Sequence, residues 1–347
     1  MRNVRFFVLP NCRPVTGVGG HPEAAAKLQR KRIIFSGICY DKLKSEAISM
    51  IRDVHAHVYP QEFQRDQELI SKTEPHFNLL THNKVHRWGT ADELVARMDE
   101  TGVDETWIFG FAFRDPGLCR LCNDYVIDAV RRYPRRLKGF ASVSPMAPGM
   151  TAEVERCADA GLIGVGELFP QGQNFALDDL RQTWRLAAVL EERGLILNVH
   201  TAEPVGHDYA GKGNVGPKEA AGFCINHPGV NVIFAHFGGG LWLYETMPEM
   251  KLYLKNARYD TAAWPFLYGP SVLGAAKAAG TLDKMLYGTD WPILDKKRFD
   301  TRLAACGLTE EEKNAFLGEN AGRFLKQALS PCDEKDQPHE AISSLDT

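Results

Sequence analysis

No apolar run in this 347-residue chain approaches the roughly 20 residues of a membrane-spanning helix, so a membrane partner is not expected. Charge of neither sign dominates. The 41 Lys and Arg face 44 Asp and Glu, a formal net charge of -3. That balance gives no bulk attraction to nucleic acid or to an anionic lipid surface. The eight cysteines, at 12, 39, 119, 122, 157, 224, 306 and 332, are scattered. Cys119-x-x-Cys122 falls in a predicted helix with no second pair, which suits small helix residues better than a zinc or redox site. Such usage fits a reducing cytoplasm, the expected location. A secretory signal is not expected: Arg2, Arg5 and the apolar Phe6-Phe7-Val8-Leu9 vaguely resemble one, but Pro10 cuts the stretch short. No Gly-x-Gly-x-x-Gly follows an early strand, which argues against an open dinucleotide-binding sheet.

What is present is an alternation of strand and helix. Hydrophobic residues make up 44% of the chain, ample for a large core. Short apolar runs predict strands near 51–55, 104–110, 137–143, 163–168, 195–200, 231–236, 256–261 and 284–289. Amphipathic patterns predict helices near 91–101, 118–133, 151–160, 178–193, 217–227, 241–255, 271–279 and 310–328. In helix 178–193, Asp178 or Asp179 caps the start, Leu180, Trp184, Ala187 and Leu190 form one stripe, and Gly194 ends it. Eight strand–helix units indicate an α/β fold, a (β/α)8 TIM barrel over residues 50–329. A long polar and aromatic stretch, 60–89, follows the first strand and reads as a lid or binding loop. Its His76, His82 and His86 match no compact ligand spacing. Residues 1–49 show no clear periodicity and are expected to be a dispensable N-terminal extension. Residues 330–347 are expected to be a loose tail.

Function is written at the strand ends. His55 and His57, two apart on a strand, point to the same face. Glu167, His200, His236 and Asp290 each close a later apolar run. In a barrel, the loops after the strands share one rim. An isolated buried histidine there is more often a hydrogen-bonded packing residue, and Glu167 has the alternatives of a helix cap or an ion pair. Four histidines and two acids at successive strand ends make a metal site the better reading. Such ligands suit Zn2+, with Mn2+ as the other candidate, and two ions per chain are expected. Metal-bound water becomes a nucleophile near neutral pH, and Asp290 is placed to take its proton.

His55-x-His57, Ala235-His236-Phe237-Gly238-Gly239, Tyr287-Gly288-Thr289-Asp290-Trp291-Pro292 and the closing Asn320-Ala321-Gly322-Arg323-Phe324-Leu325 resemble the amidohydrolase superfamily, its amidohydrolase-related branch in particular. The resemblance covers about residues 51–326. It implies that His55, His57 and Asp290 bind one metal, that His200 and His236 bind a second, and that Glu167 bridges them. One branch, the decarboxylases of aminocarboxymuconate semialdehyde and related aromatic acids, shares the ligands of the first, fifth and last strands. Those enzymes use one metal, and their strand-six histidine acts in catalysis.

Candidate substrate contacts on the same rim are Arg114, His207, Tyr209, Lys212 and Trp291. Arg114 suits a carboxylate by a two-pronged hydrogen bond, and Lys212 suits one as a point charge. Surface-loop roles fit each of them equally. Gly238, Gly239 and Gly240 allow close backbone approach to a ligand or only a tight turn. The expectation is a metal-dependent hydrolase acting on a small amide, cyclic amide, lactone or ester, with Asp290 and His236 catalytic. The alternative is a one-metal, non-oxidative decarboxylase of a small unsaturated or aromatic acid. A homo-oligomer is left open.

Overall fold

Eight short strands, each buried along most of its length, pair in parallel in chain order. They are β1 (Arg52–His57), β2 (Glu105–Phe109), β3 (Leu137–Ala141), β4 (Gly164–Leu168), β5 (Ile196–Val199), β6 (Asn231–Phe234), β7 (Ala257–Asp260) and β8 (Met285–Leu286). The computed structural model describes residues 50–330. β8 is only two residues long, yet the chain around it closes the sheet on β1. Val54 N–H donates to Tyr287 O at 2.8 Å, Asp290 N–H to His55 O at 2.9 Å, and His57 N–H to Trp291 O at 2.7 Å. The result is the expected (β/α)8 barrel.

Hydrophobic side chains from strands all around the barrel, among them Trp107, Phe109, Phe140, Ile196, Ile233 and Leu286, meet Ala321, Phe324 and Ala328 of the last helix in one buried cluster. They fill the barrel interior below the rim. A second, larger cluster joins the strands to the surrounding helices. Among the described residues, no helix is long and apolar enough to cross a membrane. The expected extension, residues 1–49, and the tail from 331 onward lie outside the described residues.

Several expected elements differ in detail. Helix Leu180–Arg193 is capped by Asp179, whose Oδ1 accepts Arg181 N–H at 3.0 Å, and Gly194 ends it with φ 61°. Its buried face is not the expected stripe. Leu180 and Trp184 are half exposed, and Thr183, Leu186, Ala187, Val189 and Leu190 face inward. The stripe is turned by one position, which buries the polar Thr183, and its hydroxyl pairs with His227 Nε2 at 2.8 Å. The expected helix 241–255 is instead a tight-turned run, His236–Thr246, followed by a short helix, Pro248–Tyr253. Phe237 and Gly238–Gly240 take left-handed dihedrals there, and Pro248 has no N–H to continue a helix across it. A Cβ on Gly239 would overlap the Ala202 carbonyl, so these glycines serve close packing of two rim loops.

The 60–89 stretch is not a bare loop. It holds three short helices, Gln61–Arg65, Gln67–Ser71 and Pro75–Thr81. Tyr59, Phe63, Ile70 and Phe77 pack them against Phe111 and Phe113 of the chain after β2 and against Cys119 and Cys122. Both of these cysteines are free and buried, and burial pushes the Cys122 thiol up to about 12. They are packing residues.

Candidate metal centre and its cavity

All six sequence-predicted ligands converge at the mouth of the barrel. They form two facing groups, His55, His57 and Asp290, and Glu167, His200 and His236. Each imidazole is tied at its outer nitrogen. His55 Nδ1 lies 2.9 Å from Asp260 Oδ2, and His57 Nδ1 lies 3.2 Å from Gly110 O. His236 Nδ1 lies 3.0 Å from Ala262 O, and His200 Nε2 lies 3.1 Å from Lys212 O. All four outer partners are acceptors, so the outer nitrogens carry the protons. The inner nitrogens then present lone pairs to one another. His55 Nε2 and His57 Nε2 are 3.2 Å apart, and His236 Nε2 and His200 Nδ1 are 3.1 Å apart.

Two carboxylates add more acceptors. Glu167 Oε1 is 3.0 Å from His200 Nδ1 and 3.5 Å from His236 Nε2. Its Oε2 is 3.4 Å from His57 Nε2 and 3.6 Å from His55 Nε2. Asp290 Oδ1 lies 3.7 Å from His57 Nε2 and 3.8 Å from His55 Nε2. Acceptors packed this tightly repel unless positive charge lies among them. The electrostatics agree. Burial disfavours the charged form of His236, but Glu167 outweighs it and the pKa rises to about 9. Burial likewise opposes charge on His55, yet Asp260 and Glu167 raise its pKa well above the usual value. Glu167 is itself buried, and His55 and His200 nevertheless hold it well below the ordinary carboxylate range. A centre that draws protons so strongly also draws a cation, and its nitrogen and oxygen donors suit a divalent transition metal.

Two acids that the sequence reading passed over hold this arrangement. Asp260, at the end of β7, faces His55 Nδ1 and accepts from Asn198 Nδ2 at 3.3 Å, His236 N–H at 3.1 Å and Ala262 N–H at 3.0 Å. Its place at a strand end on the rim was the available signal. Asp53 Oδ1 accepts Thr289 N–H at 2.9 Å, and Oδ2 accepts Thr289 Oγ1 at 2.6 Å, fixing the chain just before Asp290 to β1. His236 and Asp290 both have left-handed dihedrals, φ 57° and 70°. Such backbone costs about 1–3 kcal/mol per residue and persists only where the surroundings enforce it.

A cavity of about 390 Å3 opens above the cluster. Its floor is His57, Glu167, His200, His236 and Asp290, and its walls include Tyr59, Phe111, Phe169, Phe266 and Ile293. Among the described residues, no Lys or Arg lines it. His207 and Tyr209 do. Arg114 and Lys212 instead line a neighbouring cavity of about 480 Å3, and both are engaged with the backbone. Arg114 donates to Thr73 O at 2.9 Å, and Lys212 Nζ to Val205 O at 3.2 Å and His207 O at 3.3 Å. Trp291 is not a lining residue. Its backbone joins β1, and its ring fills the space where a Cβ on Gly89 would fall. Of the lid histidines, His76 and His86 line the cavity, and His82 pairs with Glu68 on the surface. Burial holds both His76 and His86 down, to about 4.

Residues 53–327 match the family model described as amidohydrolase. The gamma-resorcylate decarboxylase of Polaromonas sp. is 25% identical over 286 residues, covering 68% of this chain and 87% of that protein. The crystal structure of 5-carboxyvanillate decarboxylase from Sphingomonas paucimobilis aligns with a TM-score of 0.65 at 16% identity, over 80% of this chain and 99% of that one. A dihydroxybenzoic acid decarboxylase from Polaromonas sp., with bound manganese and the inhibitor 2-nitroresorcinol, aligns at 0.59 and 17% identity, over 80% and 97%. These named relatives are lyases, and they overturn the expectation of a hydrolase cleaving an amide, lactone or ester. The error has a physical source. A cation held by histidines and carboxylates polarises a carboxylate as readily as an amide carbonyl, so the ligand set does not reveal the bond.

Proposed function

Because the chain belongs to the amidohydrolase family, we propose that it is a metal-dependent, non-oxidative decarboxylase of a small aromatic or unsaturated carboxylic acid. The observation that carries this reading is the aromatic-walled cavity ending on a cluster of inward-facing acceptors, with no Lys or Arg among the described residues to receive a carboxylate. The similarity to the gamma-resorcylate decarboxylase supports it. His55, His57, His200 and Asp290 would hold one divalent ion, manganese or zinc, which when bound supplies the positive charge that receives the substrate's anionic oxygens.

The chain's own residues do the rest. Tyr59, Phe111 and Phe169 press on the substrate from the cavity walls and keep bulk water away from the reacting carbon. His236 stands on the floor with Nδ1 fixed to Ala262 O, so its Nε2 faces the cavity. Loss of CO2 leaves an electron pair on the ring carbon, and a proton must take its place. With its pKa raised to about 9, His236 carries a second proton on Nε2 near neutral pH and is placed to deliver that one, leaving the neutral ring with its Nδ1 proton. Glu167, beside both His200 and His236, orients the two rings. His207 and Tyr209 are the rim contacts of the substrate.

A second reading of the metal count has one observation in its favour. Glu167 divides its oxygens, Oε1 toward His200 and His236 and Oε2 toward His55 and His57, as a carboxylate bridging two cations would. The test is metal analysis and CO2 release on manganese-loaded wild type and His236→Ala. One ion per chain in both proteins, with CO2 release only from wild type, is expected. Two ions in wild type and one in the variant would establish the bridged pair, and absence of CO2 from every aromatic acid tried would sink the decarboxylase.

A further inference from the structure

The lid brings the imidazole of His76 to the cavity wall. His76 is the second residue of the short helix Pro75–Thr81 and is 8% exposed. Its ring lies flat on Phe169, centroids 3.9 Å apart at 30°, and Phe169 in turn lies 4.4 Å from the ring of His200. Phe111 borders it at 5.6 Å. Among the described residues, neither ring nitrogen of His76 has a hydrogen-bond partner. Neither nitrogen is among the fully buried side-chain atoms that lack a partner, so both stay within reach of a molecule in the cavity that His76 lines.

The placement of this ring is built. Glu74, immediately before the helix, is buried and accepts the backbone N–H groups of Asp115 at 2.9 Å and Arg114 at 3.2 Å, which pins the helix start to the chain after β2. Opposite, Gly172 leaves the space that the ring occupies, since a Cβ there would meet His76 Cγ at 2.5 Å. Stacking thus fixes the plane of the imidazole while both nitrogens stay free. The ring is neutral at physiological pH, with one nitrogen able to donate and the other to accept. A neutral imidazole is suited to an uncharged hydroxyl, and among the described residues no Lys or Arg lines the cavity to receive a second carboxylate.

Resting on the decarboxylase reading, the geometry points to His76 as a specificity-determining residue that selects a substrate carrying an uncharged ring hydroxyl in addition to the carboxylate that is lost. The carboxylate goes to the metal centre. The hydroxyl meets His76 on the wall. An aromatic acid without that hydroxyl leaves the imidazole unpaired and binds more weakly, in the way that sites built to hydrogen-bond a substrate reject analogues lacking the group.

The test is calorimetric binding of benzoate and its mono- and dihydroxy derivatives to manganese-loaded protein at pH 7, with CO2 release measured in parallel. For wild type, the best-placed hydroxyl should improve affinity about tenfold or more. His76→Phe keeps the stack on Phe169, and His76→Leu serves as a second apolar variant should the first melt early. Either should bind benzoate as wild type does and lose the gain from the hydroxyl, and His76→Gln should recover part of it. The inference is overturned by a gain that survives in the apolar variants, or by a wild type that binds benzoate and all its hydroxy derivatives equally. Loss of the gain without CO2 release in any protein would uphold the role of His76 and reject the reaction.

Discussion

In the metal centre at and beneath the cavity floor, each histidine has one nitrogen tied to a protein acceptor, as His55 is to Asp260 at 2.9 Å and His236 to Ala262 O at 3.0 Å. On the wall, among the described residues, His76 has no hydrogen bond at either nitrogen, and the buried Nε2 of His86 has none. The floor residues come from strand ends, where the barrel's own pairing fixes the backbone. The wall residues come from the 60–89 segment, held by the aromatic cluster around Phe63, Phe77 and Phe113. The contrast separates two jobs. A floor whose protons are all assigned fixes where positive charge sits, and a wall with free donors and acceptors is completed by the ligand.

The strongest way to break this contrast is to remove a floor ligand. His55→Ala or Asp290→Ala should lose the metal and reduce turnover about a thousandfold or more, with the barrel core intact. Metal analysis beside a thermal melt checks it, and full occupancy in both variants would refute the assignment. Next comes Asp260→Asn, which keeps the shape but replaces the carboxylate that fixes the His55 proton. Metal affinity should fall by about 10- to 100-fold, read by competition with a chelator. A variant with unchanged affinity would show that the outer bonds do not set the inner lone pairs.

The wall sharpens the comparison through pH. Burial depresses the folded pKa of His76 to about 4, while the unfolded chain takes a proton near the ordinary histidine value of 6.5. The unfolded state therefore binds more protons as pH falls through that window. Stability contributed by the neutral ring is fully present above pH 6.5 and is lost progressively toward pH 4. Between pH 7 and pH 5 the loss is about 2 kcal/mol. His76→Phe should remove that part of the acid sensitivity, seen as a smaller drop in urea midpoint between the two pH values; an equal drop in both proteins would contradict it. The smallest effect belongs far from either surface. Trp184→Ala, on the half-exposed face of helix Leu180–Arg193, should change stability by less than about 0.5 kcal/mol despite its size.

Trp184 also shows where the sequence was legible and where it was not. The spacing of Leu180, Trp184, Ala187 and Leu190 announced a helix correctly, yet two of these four lie on the exposed face. Periodicity fixes the kind of element. Which of two adjacent faces is buried depends on contacts such as Thr183 with His227, 44 residues away. The six residues of the metal centre were readable because each lies near or just past the end of a strand, and strand ends share a rim whatever the loops do. Asp260 ends a strand too, but its work is to hold His55, and no local pattern marks a residue that acts through another. The wall was opaque for a further reason. His76 reaches the cavity only because Glu74 grips the chain after β2 and Gly172 makes room, and neither contact has a spacing that a sequence shows. The bond to be broken was misread because the same cation serves hydrolysis and decarboxylation.

The reaction itself is the most direct test. Manganese-loaded protein should be incubated in D2O with a panel of hydroxylated aromatic acids, and the products read by mass spectrometry. The account predicts release of CO2 and a product bearing one deuterium on the carbon that held the carboxylate, with both signals absent in His236→Ala. Intact acids across the panel, with no CO2 from wild type, would contradict it.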